Sequence, residues 1–542
     1  MLLSSPEQPQ AQPVQPKVFV RESTGLVKNV SFFDSIAMNM SNMSVGALLG
    51  VIGISGLVPM FFAGVSTAGV NLVLLSIIAF VVSVPQIIVY TIMSRRYPRT
   101  GGDYVWVSRV FGGPIGSIFS FMGYTMETTA YLALITLSTV FAVGAVGLFF
   151  TFNTNLVGLV TPEGSAGALP GLQWIVGGLI FAALIAVNIF KPKAGYKVVS
   201  VLTIFGFFAL ILAIAVLLHA GHTGLQNYVN GVTGNGAFSI NGSQTYNIVS
   251  HAYPGGFFSW GSTIFLLPLM AAFVYPWLNA APAVAGEIKG KTALRWNVPI
   301  SAILVFVFVT SSIAAMYYVG GQAFINAAYT NPTLVYTKSF NFWTLAMGMS
   351  GNNIVAGLIG LGWILANMSV LAYGVIVISR YLLAQSFDRF LPTKVSDVSS
   401  RFGSPYIALL ISLIITVVLV GLAAFNYSGG LFGGLEGLFG AILASMIYFI
   451  FVGLAAVGHG FRKEQGLTKT LLIVAGTLNV AVFGYLSYQF VNNPAVWSLN
   501  SLTYGFIGIT FLAGGLMYFW SESHHRKRGI DISLAYQELP PE

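Results

Sequence analysis

Cysteine is absent from the 542-residue chain, which excludes thiol catalysis and leaves the redox compartment unspecified. Charge is scarce too. Asp, Glu, Lys and Arg together make up 7% of residues and hydrophobic residues 56%, with a mean hydropathy of +0.81; a soluble domain carries about a quarter charged residues. Residues 220–258 contain no Lys, Arg, Asp or Glu at all. The first 16 residues, rich in Pro and Gln, lack the apolar core of a signal peptide and read as a disordered tail. All six His (His219, His222, His251, His459, His524 and His525) fall in loops, tails or helix ends, so neither a metal site nor acid–base catalysis by His inside a membrane is expected.

What remains is long apolar runs separated by basic clusters. Of the 24 Lys and Arg, 23 fall in segments that would share one face of a membrane, Lys338 being the exception. Cytoplasmic loops collect Lys and Arg, so this ordering predicts an even number of crossings in the cytoplasmic membrane with both termini cytoplasmic. The formal charge of +9 is spread over short loops that orient helices and meet anionic lipid; it is not gathered on one basic domain, so no nucleic-acid partner is expected. A window of about 19 residues predicts 12 transmembrane helices at 32–59, 67–93, 113–147, 173–190, 197–219, 259–285, 298–319, 353–380, 405–425, 432–458, 470–491 and 500–520.

The expected fold is all-α and integral to the membrane. Residues 1–31 form a cytoplasmic tail, 32–219 a first five-helix unit, 220–258 an extracellular loop that caps the outer mouth or stays solvated, and 259–458 a second unit of opposite topology. Residues 459–520 supply two further helices and 521–542 a cytoplasmic tail. The duplication rests on topology: a long inner segment (94–112) follows the second span and a long outer one (320–352) follows the seventh. Asn241-Gly242-Ser243 and Asn426-Tyr427-Ser428 are acceptor-type triplets for glycosylation in outer loops.

Interrupted helices at matching positions point to a binding site at the membrane midplane. The first span carries Asn39, Ser41, Asn42, Met43, Ser44, Val45, Gly46 and Ala47, where small polar residues serve either a helix break lined by free backbone groups or close helix packing. The sixth carries Phe273, Tyr275, Pro276, Trp277 and Asn279; Pro276 frees the carbonyl near Ala272, leaving either an aromatic gate or a plain kink. Glu127 is the carboxyl nearest the middle of a span, a proton- or cation-handling group or a protonated bridge to a neighbouring helix. Asn367 and Ser369 in the eighth span would bind Na⁺ or join helices.

Specific residues then match a family. Arg96-Tyr97-Pro98-Arg99-Thr100-Gly101-Gly102-Asp103-Tyr104 through Arg109 and Gly112 resembles the signature between the second and third spans of the amino acid–polyamine–organocation (APC) permease superfamily. Glu287-Ile288-Lys289 with Pro299 resembles the end of its sixth span. Ser379-Arg380, Asp388-Arg389-Phe390-Leu391-Pro392 and Ser404-Pro405 resemble the inner end of its eighth.

The resemblance implies a five-plus-five inverted-repeat (LeuT-type) core, with discontinuous first and sixth spans and two peripheral helices. It also implies transport of amino acids or related amines by alternating access, with a small-molecule substrate meeting amides near Met43–Ala47 and the stretch Phe273–Asn279. Three departures stand out: only Gly46 remains of the usual glycines, Trp277 and Asn279 replace Gly and Glu, and the Lys found in many proton-coupled relatives would fall near Gly206. The coupling ion, Na⁺ or H⁺, is therefore left open, and no other cofactor is implied. A carrier of a nucleobase or organic cation, or a nutrient sensor on the same scaffold, are the alternatives. An enzyme is not expected, because the span interiors offer one deep Glu and no His, Cys or Lys.

Overall fold

The computed structural model describes residues 26–51, 68–151, 156–160, 167–232, 238–240, 242–331, 333–334, 338–425 and 434–539. The triplet at 426–428, Asn241, most of the N-terminal tail and the end of the first predicted span lie outside them. Among the described residues the regular structure is helical, with two isolated β-bridges. In chain order the helices are α1 Phe32–Asn42, α2 Val45–Val51, α3 Leu72–Arg96, α4 Asp103–Phe111 and α5 Gly113–Thr151. They continue as α6 Pro170–Phe190, α7 Pro192–Val229, α8 Thr245–His251, α9 Trp260–Ala271, α10 Ala280–Ala283 and α11 Lys291–Thr330. The last are α12 Phe342–Met349, α13 Asn353–Phe387, α14 Tyr406–Phe425, α15 Gly437–Lys463, α16 Gly466–Asn492 and α17 Ser501–Arg526.

Ten of the helices are long and apolar enough to cross a membrane: α3, α5, α6, α7, α11 and α13 to α17. The surface they expose is the wrong kind for water. On α7, Ile204, Phe205, Phe208 and Ile211 stand more than half exposed, as do Ile509, Leu512 and Leu516 on α17. A stripe of that size is stable only against lipid or a partner. The first and sixth predicted spans are not among the ten because each is broken, at Met43–Ser44 and between Ala272 and Asn279.

Local signals account for the element ends. Ser31 caps α1 in a reciprocal box with Asp34, and the side chains of Asn71 and Asn352 cap α3 and α13. Several boundaries differ from expectation. The supposed outer loop begins as helix, since α7 runs through a kink at Gly221 to Val229, and α8 follows within it. The 320–352 segment is likewise helical at both ends, with α11 kinked at Gly321 and α12 near its close. The C-terminal segment is not a free tail. Residues up to Arg526 belong to α17, and a 3₁₀ turn at Ile532–Tyr536 buries Ile532, Ala535 and Tyr536, with the Tyr536 hydroxyl 3.0 Å from Ser117 Oγ.

The motif residues resolve into two buried ion pairs, and a third pair joins buried Asp34 to exposed Lys197. Arg109 on α4 is bidentate to Asp388 at the end of α13, which also accepts from the Tyr104 hydroxyl at 2.8 Å. Arg380 on α13 pairs with Glu287 at 2.9 Å, and Tyr196 on α7 donates to the same carboxylate at 2.7 Å. Asp34 takes Lys197 Nζ at 2.9 Å and the Ser200 hydroxyl at 2.6 Å.

Close packing fills the space between α2, α7 and α13. A Cβ on Gly46 would sit 2.4 Å from the Cβ of Ala366, and one on Gly206 would sit 2.9 Å from the same atom. Gly46→Ala should therefore destabilise the protein by about 1–3 kcal/mol through overpacking, and Ala366→Gly should restore most of the loss. Thermal unfolding of the single and double variants in detergent checks this; equal melting temperatures for wild type and Gly46→Ala would refute the packing.

Candidate functional site

The two breaks face each other. α1 ends at Asn42 with Met43 as its C-cap, and Ser44 adopts a left-handed backbone (φ 50°), a conformation that strains a residue with a Cβ. Across from it, Pro276 interrupts helical bonding, and residues 277–279 run without helix before α10 begins. The exposed backbone groups are met by side chains. Trp277 Nε1 donates to the Ala272 carbonyl at 3.0 Å, the carbonyl that the proline was expected to free. Gln86 Nε2 on α3 donates to the Pro276 carbonyl at 2.9 Å, and the Ala281 amide donates to Asn39 Oδ1 at 2.9 Å. The two breaks are also tied directly: Asn42 Nδ2 donates to Asn279 Oδ1 at 2.8 Å, and Tyr373 on α13 donates to Asn42 Oδ1.

Between them lies a small cavity of about 30 Å³, lined by Ser44, Ala47, Tyr131, Leu134, Phe273 and Phe439 among others. That is room for about one water. Its polar atoms come mainly from Ser44 and Tyr131, whose hydroxyls are 2.5 Å apart; the remaining wall is apolar. Phe273 stacks on Phe439 with ring centroids at 4.0 Å, and Trp277 stacks on Tyr131 at 5.6 Å, nearly coplanar at 9°.

The candidates divide by position. Ser44, Ala47 and Phe273 line the cavity, and Trp277 packs on its wall. Asn42 and Asn279 join the breaks, while Met43 and Val45 are buried beside them. Gly46 contributes its carbonyl, which accepts from Trp343 Nε1 at 3.0 Å. Tyr275 points elsewhere, its hydroxyl 2.6 Å from Ser76 on α3 and its ring edge-on to Phe80. Asn367 donates to the Ser138 carbonyl at 3.3 Å, and Ser369 bonds back to Ala366 in its own helix at 2.7 Å. Glu127 follows a π-helical turn at Phe121–Met126, is 1% exposed, and leaves Oε2 without a hydrogen-bond partner among the described residues. π-turns of this kind recur at functional positions.

Sequence reasoning missed three contributors. Tyr131 lies four residues beyond Glu127 on one helix face, a spacing that could have flagged it. Phe439 and Tyr373 carry no comparable local signal.

Asp103, at the start of α4, is the other omission. It is fully buried and accepts hydrogen bonds from Tyr90 on α3, Tyr381 on α13, Tyr448 on α15 at 2.9 Å and Asn279 Nδ2 at 3.5 Å. Burial pushes its carboxyl above the ordinary carboxylate range, and the hydroxyl and amide donors pull it part of the way back.

Fold and site together define a multi-pass, all-helical membrane protein built around two broken helices and a small cavity beside them. The chain belongs to the amino acid permease family, whose description, Amino acid permease, matches residues 30–514. The permease family and the membrane-spanning helices together point to a transporter. A second similarity is to Uncharacterized protein 399 of Sulfolobus islandicus rod-shaped virus 1, 22% identical over 512 residues that cover 93% of this chain and 97% of that protein.

Removing the Trp277 side chain would take away both the stack on Tyr131 and the donor to Ala272. Trp277→Ala should cost about 2 kcal/mol and change uptake or its selectivity while the protein still inserts; Trp277→Phe, which keeps a ring, should do less. Unchanged uptake kinetics in Trp277→Ala across a panel of amino acids would remove Trp277 from the site.

Proposed function

We propose that the protein is a secondary transporter of the cytoplasmic membrane, moving an amino acid or related small amine by alternating access between states open to either side. The observation that carries this reading is the pair of facing helix breaks with a small cavity beside them, in a chain of the amino acid permease family. The ten continuous helices and two broken ones would make twelve crossings, arranged as two inverted five-helix units with α16 and α17 at the periphery and both termini cytoplasmic. Because the wall around Leu134, Phe273 and Phe439 is apolar, the variable part of the substrate is expected to be apolar. A volume of about 30 Å³ cannot hold an amino acid, so the bundle must open before substrate enters.

Glu127, whose Oε2 has no hydrogen-bond partner among the described residues, is the ion-handling candidate one helical turn before Tyr131 of the cavity wall. Gly206 stands where the resemblance places the Lys of many proton-coupled relatives, and it packs closely on Ala366.

The test is reconstitution into liposomes with counterflow of labelled apolar amino acids, with and without Na⁺ and a pH gradient. Counterflow of at least one amino acid is expected, and Glu127→Gln should lower gradient-driven accumulation more than counterflow. Absence of counterflow across amino acids, with nucleobases or organic cations active instead, would move the protein to the alternative substrate classes.

A further inference from the structure

The Asp103 carboxylate joins five separate elements at one point. It starts α4, in the segment that the basic clusters place on the inner face, and its bonds reach α3, the break before α10, α13 and α15. Among the described residues no Lys, Arg or His pairs with it. The neighbouring cation on α4, Arg109, is committed to Asp388. The titratable groups facing Asp103 are Tyr90, Tyr381, Tyr448 and Tyr124, with Glu127 beyond Tyr124 on α5; Asn279 is neutral. Other buried carboxylates on this side, Asp34, Glu287 and Asp388, each hold a Lys or Arg.

Asp103 also sits where the second half of the sixth span is clasped. The Gly101 amide donates to the Ala283 carbonyl at 2.9 Å, and Thr100 bridges to Val284. Gly101 and Gly102 both have positive φ, and a Cβ on Gly102 would come within 3.0 Å of the Ala283 backbone, so the two segments approach as closely as backbones can. From Asp103 a hydrogen-bonded chain runs through Asn279 to Asn42 and Tyr373 at the central site. Opening the inner path must separate α10 from this clasp and break the Asn279–Asp103 contact.

We propose that Asp103 is a proton-binding site that couples inner opening to protonation. An ionised Asp103 needs its four donors and so holds α3, the sixth-span break, α13 and α15 together. A proton taken up on one carboxyl oxygen turns that oxygen from acceptor to donor, removes the charge, and lets the clasp around Ala283 release. On this reading H⁺ is the coupling ion, taken up at Asp103 and released again when the donors re-form around it. The inference rests on the transport reading above and adds its coupling residue.

Two measurements separate the inference from that reading. The chain has no native Cys, so a single Ala283→Cys, at a position buried in this structure, reports inner opening by maleimide labelling without any substrate. Labelling, normalised at each pH to that of the unfolded protein because the thiolate is the reacting form, should rise as pH falls in the Asp103 background and become independent of pH with Asp103→Asn. Tyr448→Phe, which removes one donor to the ionised form, should move the labelling midpoint up by about one pH unit, and it serves as the test if Asp103→Asn fails to fold.

In liposomes, Asp103→Asn should keep counterflow of the most active labelled amino acid and lose accumulation driven by a pH gradient. Labelling in the Asp103 background that does not vary with pH, or Asp103→Asn and Tyr448→Phe profiles that match it, overturns the proposal. Accumulation in Asp103→Asn equal to wild type does the same, and in each case the transporter reading stands if counterflow is present. Failure of counterflow in wild type strikes that reading instead, and labelling still decides the role of Asp103.

Discussion

A broken helix in hydrocarbon must satisfy its own backbone, because no water is present to do it. That constraint organises the centre of this protein. The interruptions are met by side chains from the other break, from neighbouring helices or from within: Asn39 serves the Ala281 amide, Gln86 the Pro276 carbonyl, Trp343 the Gly46 carbonyl, and Trp277 the Ala272 carbonyl of its own break. The two breaks are joined directly by Asn42–Asn279 and by Asn39 to the Ala281 amide, so a displacement of one against the other would break these bonds.

The same residues explain why the cavity is small. Gly46 packs on Ala366 and Gly206 on the same residue, so α2, α7 and α13 meet at backbone distance. Trp277 and Asn279, standing where smaller or acidic residues are usual in the family the chain resembles, fill the space further by stacking on Tyr131 and bonding Asn42. The remaining void is bounded by aromatic and aliphatic side chains, with Ser44 and Tyr131 as its main polar pair. Specificity in such a site would come from shape and from the few backbone groups near Ser44.

Much of this was legible in the sequence. The break at Met43–Ser44 lies inside a run of small polar residues that no lipid-facing helix would carry, and Pro276 announces the second. What sequence could not supply was direction. Tyr275 and Trp277 are two residues apart, yet one faces Ser76 on α3 and the other Tyr131 on α5. Asp103 reads as one more polar residue of an inner segment, because two of the three tyrosines that bond it are 278 and 345 positions away. The helical start of the 220–258 segment was hidden by its Gly and Asn content, although Gly221 only kinks α7. The C-terminal turn at Ile532–Tyr536 docks through contacts with α5 and α17 that no local periodicity encodes.

The placement of charge divides the buried acids into two groups. Asp34, Glu287 and Asp388 each pair with Lys197, Arg380 or Arg109 and receive hydroxyl donors as well; in the two pairs buried on both sides, Arg109–Asp388 and Arg380–Glu287, removing either partner strands a charge at a cost of about 3–5 kcal/mol. Such pairs are poor sites for a proton to come and go. Among the described residues Asp103 and Glu127 pair with no cation, and Tyr124 interacts with both. Proton coupling is therefore proposed at these two carboxyls and not at the paired ones.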